Sequence, residues 1–242
     1  MSDDYYLGID GCQAGWFCVI FSEKEFIDFN ISQTIKEIWL QYNKAKTILV
    51  DIPIGLLENS SEPRKCDKAA RQFLTRIRSS SVFPVPCRAA IYANDYIEAK
   101  IINREKTGKG LSKQSWNISP KIRDVDEFLR NNKHLKEIIV ESHPEVCFTA
   151  LNGGKPMIYY KKTPEGFKER ISILKKYSDN AEEFIQKIFS DFDFSRADKD
   201  DLIDACVLAL SASWGPDNWK FLPYNYDFDS EGLPMRMAYP NV

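Results

Sequence analysis

Histidine is nearly missing from this chain: of 242 residues only His134 and His143 are histidines. Neither has a cysteine partner at ligand spacing, and none of the six cysteines forms a C-x-x-C pair, which argues against a zinc site. Cys12, Cys18, Cys66, Cys87, Cys147 and Cys206 mostly sit inside apolar runs instead, the usage of reduced, buried thiols in a cytoplasmic protein. No stretch approaches the roughly 20 apolar residues of a membrane span. The first residues, Met1 to Tyr6, are acidic and too poor in apolar side chains for a signal peptide. There is no internal repeat and no low-complexity linker. A charge excess of one sign is also missing. The formal net charge is −2 and the sequence pI about 5.8, unlike a protein that coats nucleic acid by neutralising phosphates.

What is present is an ordered globular composition, 43% hydrophobic and 13% aromatic, at a length that supports a full core. The charges are unevenly distributed. Ser61 to Arg123 carries 14 basic residues against 5 acidic ones, and Asp179 to Ala205 carries 3 against 9. One surface attractive to phosphate and another attractive to cations is the functional reading; solvated helix faces are the plain one.

Apolar runs at Tyr5–Ile9, Trp16–Phe21 and Phe26–Ile31, separated by short polar or Gly-containing turns, predict three antiparallel strands. Ser32 is expected to cap a helix carrying Ile35, Ile38, Trp39 and Tyr42 at helical spacing. Thr47–Val50 predicts a fourth strand and Ile138–Glu141 a fifth. Between them lie a basic helix over about Pro63–Ile77, a loop over Ser79–Arg88, helices over about Ala93–Glu105 and Val125–Asn131, and a Gly-, Ser- and Lys-rich stretch, Thr107–Ser119, expected to be mobile or to face substrate. Helices follow over Gly166–Tyr177, Ala181–Phe189 and the very apolar Asp201–Trp214, with an edge strand at Pro234–Tyr239. The expectation is an α/β fold in one domain, residues 1–242. Its mixed five-stranded sheet joins three antiparallel strands to parallel ones, is flanked by helices and takes a long insertion between strands four and five.

Three of these strands end in an acid: Asp10, Asp51 and Glu141. Strand ends line a shared crevice, and acids gathered there repel one another unless they share protons or bind a cation. Carboxylate oxygens suit Mg²⁺ or Mn²⁺. Asp200-Asp201-x-x-Asp204 adds acids on one helix face, followed by an almost wholly apolar run that draws Asp204 inward. Asp198 and Asp200 are expected to cap that helix, and Asp204 to do metal or catalytic work.

Several motifs in order then resemble a known family: Gly8-Ile9-Asp10-Gly11-Cys12-x-x-Gly15-Trp16, Asp51-Ile52-Pro53-Ile54-Gly55-Leu56, Cys66-Asp67, Ala70-Arg71, Ser80-Ser81-Val82-Phe83-Pro84, Lys121-Ile122, Glu141-x-His143-Pro144-Glu145 and Asp200-Asp201-x-x-Asp204-Ala205. They look like an uncharacterised family of RNase H-like fold, a domain of unknown function whose members are predicted nucleases. The match runs from about Leu7 to Ala212. The resemblance implies that Asp10 is the first-strand acid, Asp51 the acid at the end of the fourth strand, and Asp201 or Asp204 the acid of the last helix.

The function expected from this is divalent-metal-dependent phosphodiester hydrolysis, with nucleic acid or a small phosphoester as substrate. Asp10, Asp51, Glu141, Asp201 and Asp204 are the candidate ligands of Mg²⁺ or Mn²⁺. His143 is either a proton carrier or a residue held structurally before Pro144. Among the basic residues Arg64, Arg71, Arg88, Lys113 and Lys121, the candidate substrate contacts are Arg71, Arg88 and Lys121. They are joined by Gln114, with Trp116 beside it read as packing. A phosphotransferase of actin or sugar-kinase type, which needs a second Asp-Gly hairpin that this chain lacks, and a non-catalytic binding module are the competing classes. Trp219, Tyr224 and Tyr226 in the tail either cover the sheet or make a contact between copies.

Overall fold

The computed structural model describes residues 4–242. By contacts within the chain, residues 4–51, 137–220 and 238–242 form one compact unit and residues 52–136 and 221–237 a second.

The first unit begins with β1 (Tyr6–Cys12), β2 (Gly15–Ser22) and β3 (Glu25–Ser32). β2 is buried from Trp16 through Phe21, whereas β3, an edge strand, is buried only at Phe26 and Ser32. Gly15 opens β2 at φ +134°, where a Cβ would meet the Ser32 carbonyl oxygen at 2.2 Å, so only glycine fits. Helix α1 (Ile35–Gln41) is capped by Thr34, whose side chain accepts from the Glu37 backbone N–H. Ser32, the expected cap, is instead still paired in β3 opposite Trp16. Then comes β4 (Thr47–Val50), wholly buried.

The second unit follows. The expected single helix is two, α2 (Lys65–Phe73) and α3 (Thr75–Arg78), because Thr75 adopts φ +55° and breaks the run. After α4 (Arg88–Ile91), α5 (Tyr96–Thr107) starts at Asp95, whose carboxylate caps the Ile97 and Glu98 N–H groups. The stretch expected to be mobile holds a short helix, α6 (Lys113–Asn117), capped by Ser112; α7 (Ser119–Asn131) follows. Trp116 packs against a cluster of Cys87, Ala90, Ala93, Ala99 and Leu111.

Back in the first unit are β5 (Ile139–Glu141), α8 (Pro144–Leu151), α9 (Pro164–Leu174), α10 (Ala181–Asp191) and α11 (Lys199–Ala212). The tail forms β6 (Trp219–Phe228) and β7 (Pro234–Pro240), which pair as a two-stranded sheet.

The main sheet has the order β3-β2-β1-β4-β5, antiparallel across β3, β2 and β1 and parallel across β1, β4 and β5. The five-stranded mixed sheet expected from the sequence is therefore present. All six cysteines are free and buried. Among the described residues no helix is long and apolar enough to cross a membrane.

Candidate functional site

Register decides which strand-end acids meet. Ile9, Val50 and Glu141 lie in one lateral row across β1, β4 and β5. The next row begins with Asp10 and Asp51, joined by the Asp51 N–H donating to the Ile9 carbonyl, and with Ser142, whose N–H donates to the Val50 carbonyl. Side chains alternate along a strand and agree across a row. Asp10 and Asp51 therefore point to one face, and Glu141 points to the other with Ile9 and Val50. Helix α11 covers the Asp10 face. Gly8, two residues before Asp10, has no side chain, and the backbone of Ala205 and Ala209 takes that space. Thr47, on the same face, donates its hydroxyl to the Ala212 carbonyl at 2.8 Å. The close crossing brings Asp204, on the first turns of α11, into the neighbourhood of Asp10 and Asp51.

The electrostatics agree. Asp10 is buried, and its carboxyl sits well above the ordinary range, first through burial and then through the charges of Asp51 and Asp204. Its Oδ1 accepts from the Gly11 N–H at 2.6 Å. Asp51 is also raised, chiefly by burial; His143 and Lys161 oppose the shift and Glu145 adds to it. Asp204 is pushed up to about 6, again mainly by burial, against the pull of Lys161. The Lys161 ammonium donates to Asp204 Oδ2 at 2.5 Å and lies 3.0 Å from Asp200. Burial alone would lower the Lys161 pKa, but Asp204, Asp10 and Asp200 outweigh it and hold the group charged. Asp204 Oδ1 is buried and has no hydrogen-bond partner among the described residues.

Asp201 has a local task. It occupies the third position of a capping box, accepting from the Asp198 N–H at 2.8 Å while the Asp198 side chain accepts from the Asp201 N–H. Its carboxyl is pushed up to about 6, mainly by burial. Asp200 is half-buried and faces Lys161. His143 is the N-cap of α8, where its Nδ1 accepts from the Glu145 N–H at 3.2 Å, so the neutral ring carries its proton on Nε2. Glu145 is buried and ion-paired with Arg170, which is itself 1% exposed and also donates to the Gly166 and Tyr159 carbonyls.

The basic residues expected to meet phosphate lie in the second unit. Arg88 is buried there among its own counter-charges: Nη1 meets Asp126, Nη2 meets Asp229 and Nε meets Glu58. A guanidinium committed to three carboxylates has little left for a phosphate. Arg64 is likewise buried, fork to fork with Asp67 and donating to the Ile54 and Gly55 carbonyls. Arg71 donates to the Val82 carbonyl at 2.6 Å. Gln114 is exposed on α6, and Lys121 is half-buried on α7.

The structure thus places Asp10, Asp51 and Asp204 on one face within electrostatic reach of one another and leaves Glu141 on the opposite face. Two residues of the site escaped the sequence reading. Lys161 lies in an irregular segment with no periodicity to mark it. Arg170 did carry a signal, standing on the helical stripe of Phe167 and Leu174, where a charge needs a buried partner. Oxygen-only donors, raised by burial and mutual repulsion and including an unpartnered Asp204 Oδ1, suit a hard divalent cation such as Mg²⁺ or Mn²⁺.

Residues 8–227 match a family model described as a protein of unknown function (DUF429). No curated protein matches the chain, and no solved structure does.

Proposed function

On the premise that this chain belongs to the DUF429 family, we propose that its first unit is an RNase H-like, divalent-metal-dependent phosphodiester hydrolase. The observation that carries the reading is that Asp10, Asp51 and Asp204 lie on one face of the sheet within electrostatic reach of one another, each with its carboxyl raised. The strand order, with an acid on the central β1 and another just after the parallel β4, supports the RNase H-like assignment.

Asp10, Asp51 and Asp204 would hold Mg²⁺ or Mn²⁺. Such a cation supplies Lewis-acid polarisation of a phosphoryl oxygen and a more acidic bound water. Lys161 holds Asp204 in place and offers positive charge to the phosphate. His143, fixed through Nδ1, presents Nε2–H as a proton carrier at the edge of the site. Asp201 positions α11 through its capping box. Glu141 lies on the far face, away from these three acids.

The test is cleavage of a panel of single- and double-stranded DNA and RNA and a simple aryl phosphodiester, with Mn²⁺ or Mg²⁺. Asp10→Asn should abolish cleavage while leaving the unfolding transition intact. Calorimetry should show Mn²⁺ binding by the wild type and its loss in Asp10→Asn. A protein that binds no divalent ion and cleaves nothing contradicts the reading; ATP turnover in its place favours a phosphotransferase.

A further inference from the structure

Beside Lys161, the N-terminal ends of α9 and α11 and the C-terminal part of α10 border an open cavity of about 510 Å³. That size fits a small ligand or one piece of a larger one. Four lysines line the cavity, Lys161, Lys162, Lys168 and Lys199, against two carboxylates, Asp198 and Asp200, which pair with Lys162 and Lys161; Phe167 and Phe189 supply aromatic surface. Lys199 already lies over the Phe189 ring, 4.8 Å from its centroid. Lys168 is exposed and has no ion pair among the described residues. Lys162 pairs with Asp198 at 2.8 Å, but both are about half exposed, so the pair is weak and open to exchange for a phosphate.

The chain leading into this cavity is fixed in an unusual way. The Ile158 and Tyr159 N–H groups donate to the Glu169 carboxylate at 2.9 and 3.1 Å. The Tyr159 carbonyl accepts from Arg170, and the Tyr160 carbonyl accepts from the Thr163 hydroxyl. Gly166 lets the strap lie against α9, since a Cβ there would sit 2.0 Å from the Tyr160 carbonyl oxygen. Yet Ile158, Tyr159 and Tyr160 are 71%, 50% and 60% exposed. A backbone held at Ile158, Tyr159 and Tyr160 presents two half-exposed aromatic rings next to two lysines.

We propose that the strap 158–162 and the adjoining cavity form a binding track for single-stranded nucleic acid. Unstacked bases lie on Tyr159 and Tyr160 or against the exposed edge of the Phe167–Phe189 pair, whose rings pack on each other at 5.2 Å, and phosphates meet Lys162, Lys168 and Lys199. A duplex keeps its base faces hidden and gains little from such rings. Because Lys161 belongs to both the strap and the acid cluster, a strand on this track has a phosphodiester at Asp204. The inference rests on the hydrolase reading for its purpose, but binding can be measured without any chemistry.

The experiment is fluorescence anisotropy in EDTA with labelled 12-mers of deoxythymidine and of uridine, a hairpin duplex and a mononucleotide. Single strands of either sugar should bind at least about tenfold more tightly than the duplex or the mononucleotide. The Lys162→Glu, Lys168→Glu double variant should weaken binding about tenfold or more and flatten its salt dependence. Tyr159→Ala with Tyr160→Ala should weaken it about five- to fiftyfold at an unchanged salt slope. Lys36→Glu, on exposed α1, should change nothing. Preference for duplex, binding of the mononucleotide alone, or indifference to both double variants overturns the track. The two readings fail separately. Single-strand binding without cleavage under Mn²⁺ removes only the hydrolase, whereas cleavage of the aryl diester without oligonucleotide binding removes only the track.

Discussion

Gly8 on β1 and Ala209 on α11 meet backbone to backbone: a Cβ on Gly8 would lie 2.0 Å from the Ala209 nitrogen and 2.1 Å from the Ala205 carbonyl oxygen. No side chain separates strand from helix at this crossing, and that closeness sets Asp204 near Asp10. Gly8→Ala forces the helix to shift as a body, because its neighbours are main chain rather than a flexible side chain. The expected cost is about 2–4 kcal/mol in urea unfolding, with Mn²⁺ affinity falling as Asp204 moves away. An unchanged midpoint would mean that α11 slides freely, and the close crossing would lose its role.

Much of this was legible. Asp10 follows an apolar run and Asp51 a β-branched one, and both precede turn residues, which marks a strand end. Asp204 was legible from the apolar run behind it. Glu141 shows the limit. It ends a strand just as Asp51 does, but its face depends on register, and pairing with Val50 rather than with Asp51 turns it away. Arg88 shows another limit. Its segment reads as basic surface, while its counter-charges, Glu58, Asp126 and Asp229, come from three distant places in the chain. Charge counted along a sequence says little about charge paired in space.

The raised carboxyls fix the direction of a pH effect. A carboxyl whose pKa is higher in the folded state than in the unfolded chain holds its proton better when folded. Its contribution is fully present below the unfolded value, 3.8, and is lost as pH rises through the folded value, about 6 for Asp204. In EDTA, Asp204 therefore costs the wild type on the order of 3 kcal/mol between pH 4 and pH 7. Asp204→Asn should be relatively more stable at pH 7.5 than at pH 4.5, read by urea midpoints at both. Mn²⁺ should reverse the wild-type loss at pH 7.5 and do little for the variant. A constant difference across pH would mean that Asp204 is ordinarily acidic and not crowded.

In the second unit, Arg88→Lys separates a structural from a substrate role. One ammonium cannot satisfy Asp126, Asp229 and Glu58 together, so buried carboxylate oxygens are left short of donors. Loss of about 3–5 kcal/mol is expected. Any cleavage by the folded fraction should keep its KM. A variant as stable as wild type but with a raised KM would return Arg88 to the substrate.

Lys161→Met tests the ammonium as the built-in counter-ion of the acids. Met keeps most of the aliphatic stem, so the charge is what is removed. Asp204 and Asp10 then face each other and Asp200 with less relief, and the Asp204 and Asp10 carboxyls should rise further. Breaking a partly buried pair of this kind is worth about 1–3 kcal/mol at neutral pH after allowing for the 31% exposure of the lysine. The loss should shrink below pH 6, where Asp204 takes up a proton and no longer needs the ammonium. Millimolar Mn²⁺ should recover more stability in the variant than in the wild type, since a cation entering the site then replaces the missing charge. Urea midpoints at pH 5 and pH 8, with EDTA and with Mn²⁺, read all three effects. Equal losses at both pH values, with no greater rescue by metal, would show that the stem packs but the charge does not matter, and the acids would need another source of relief.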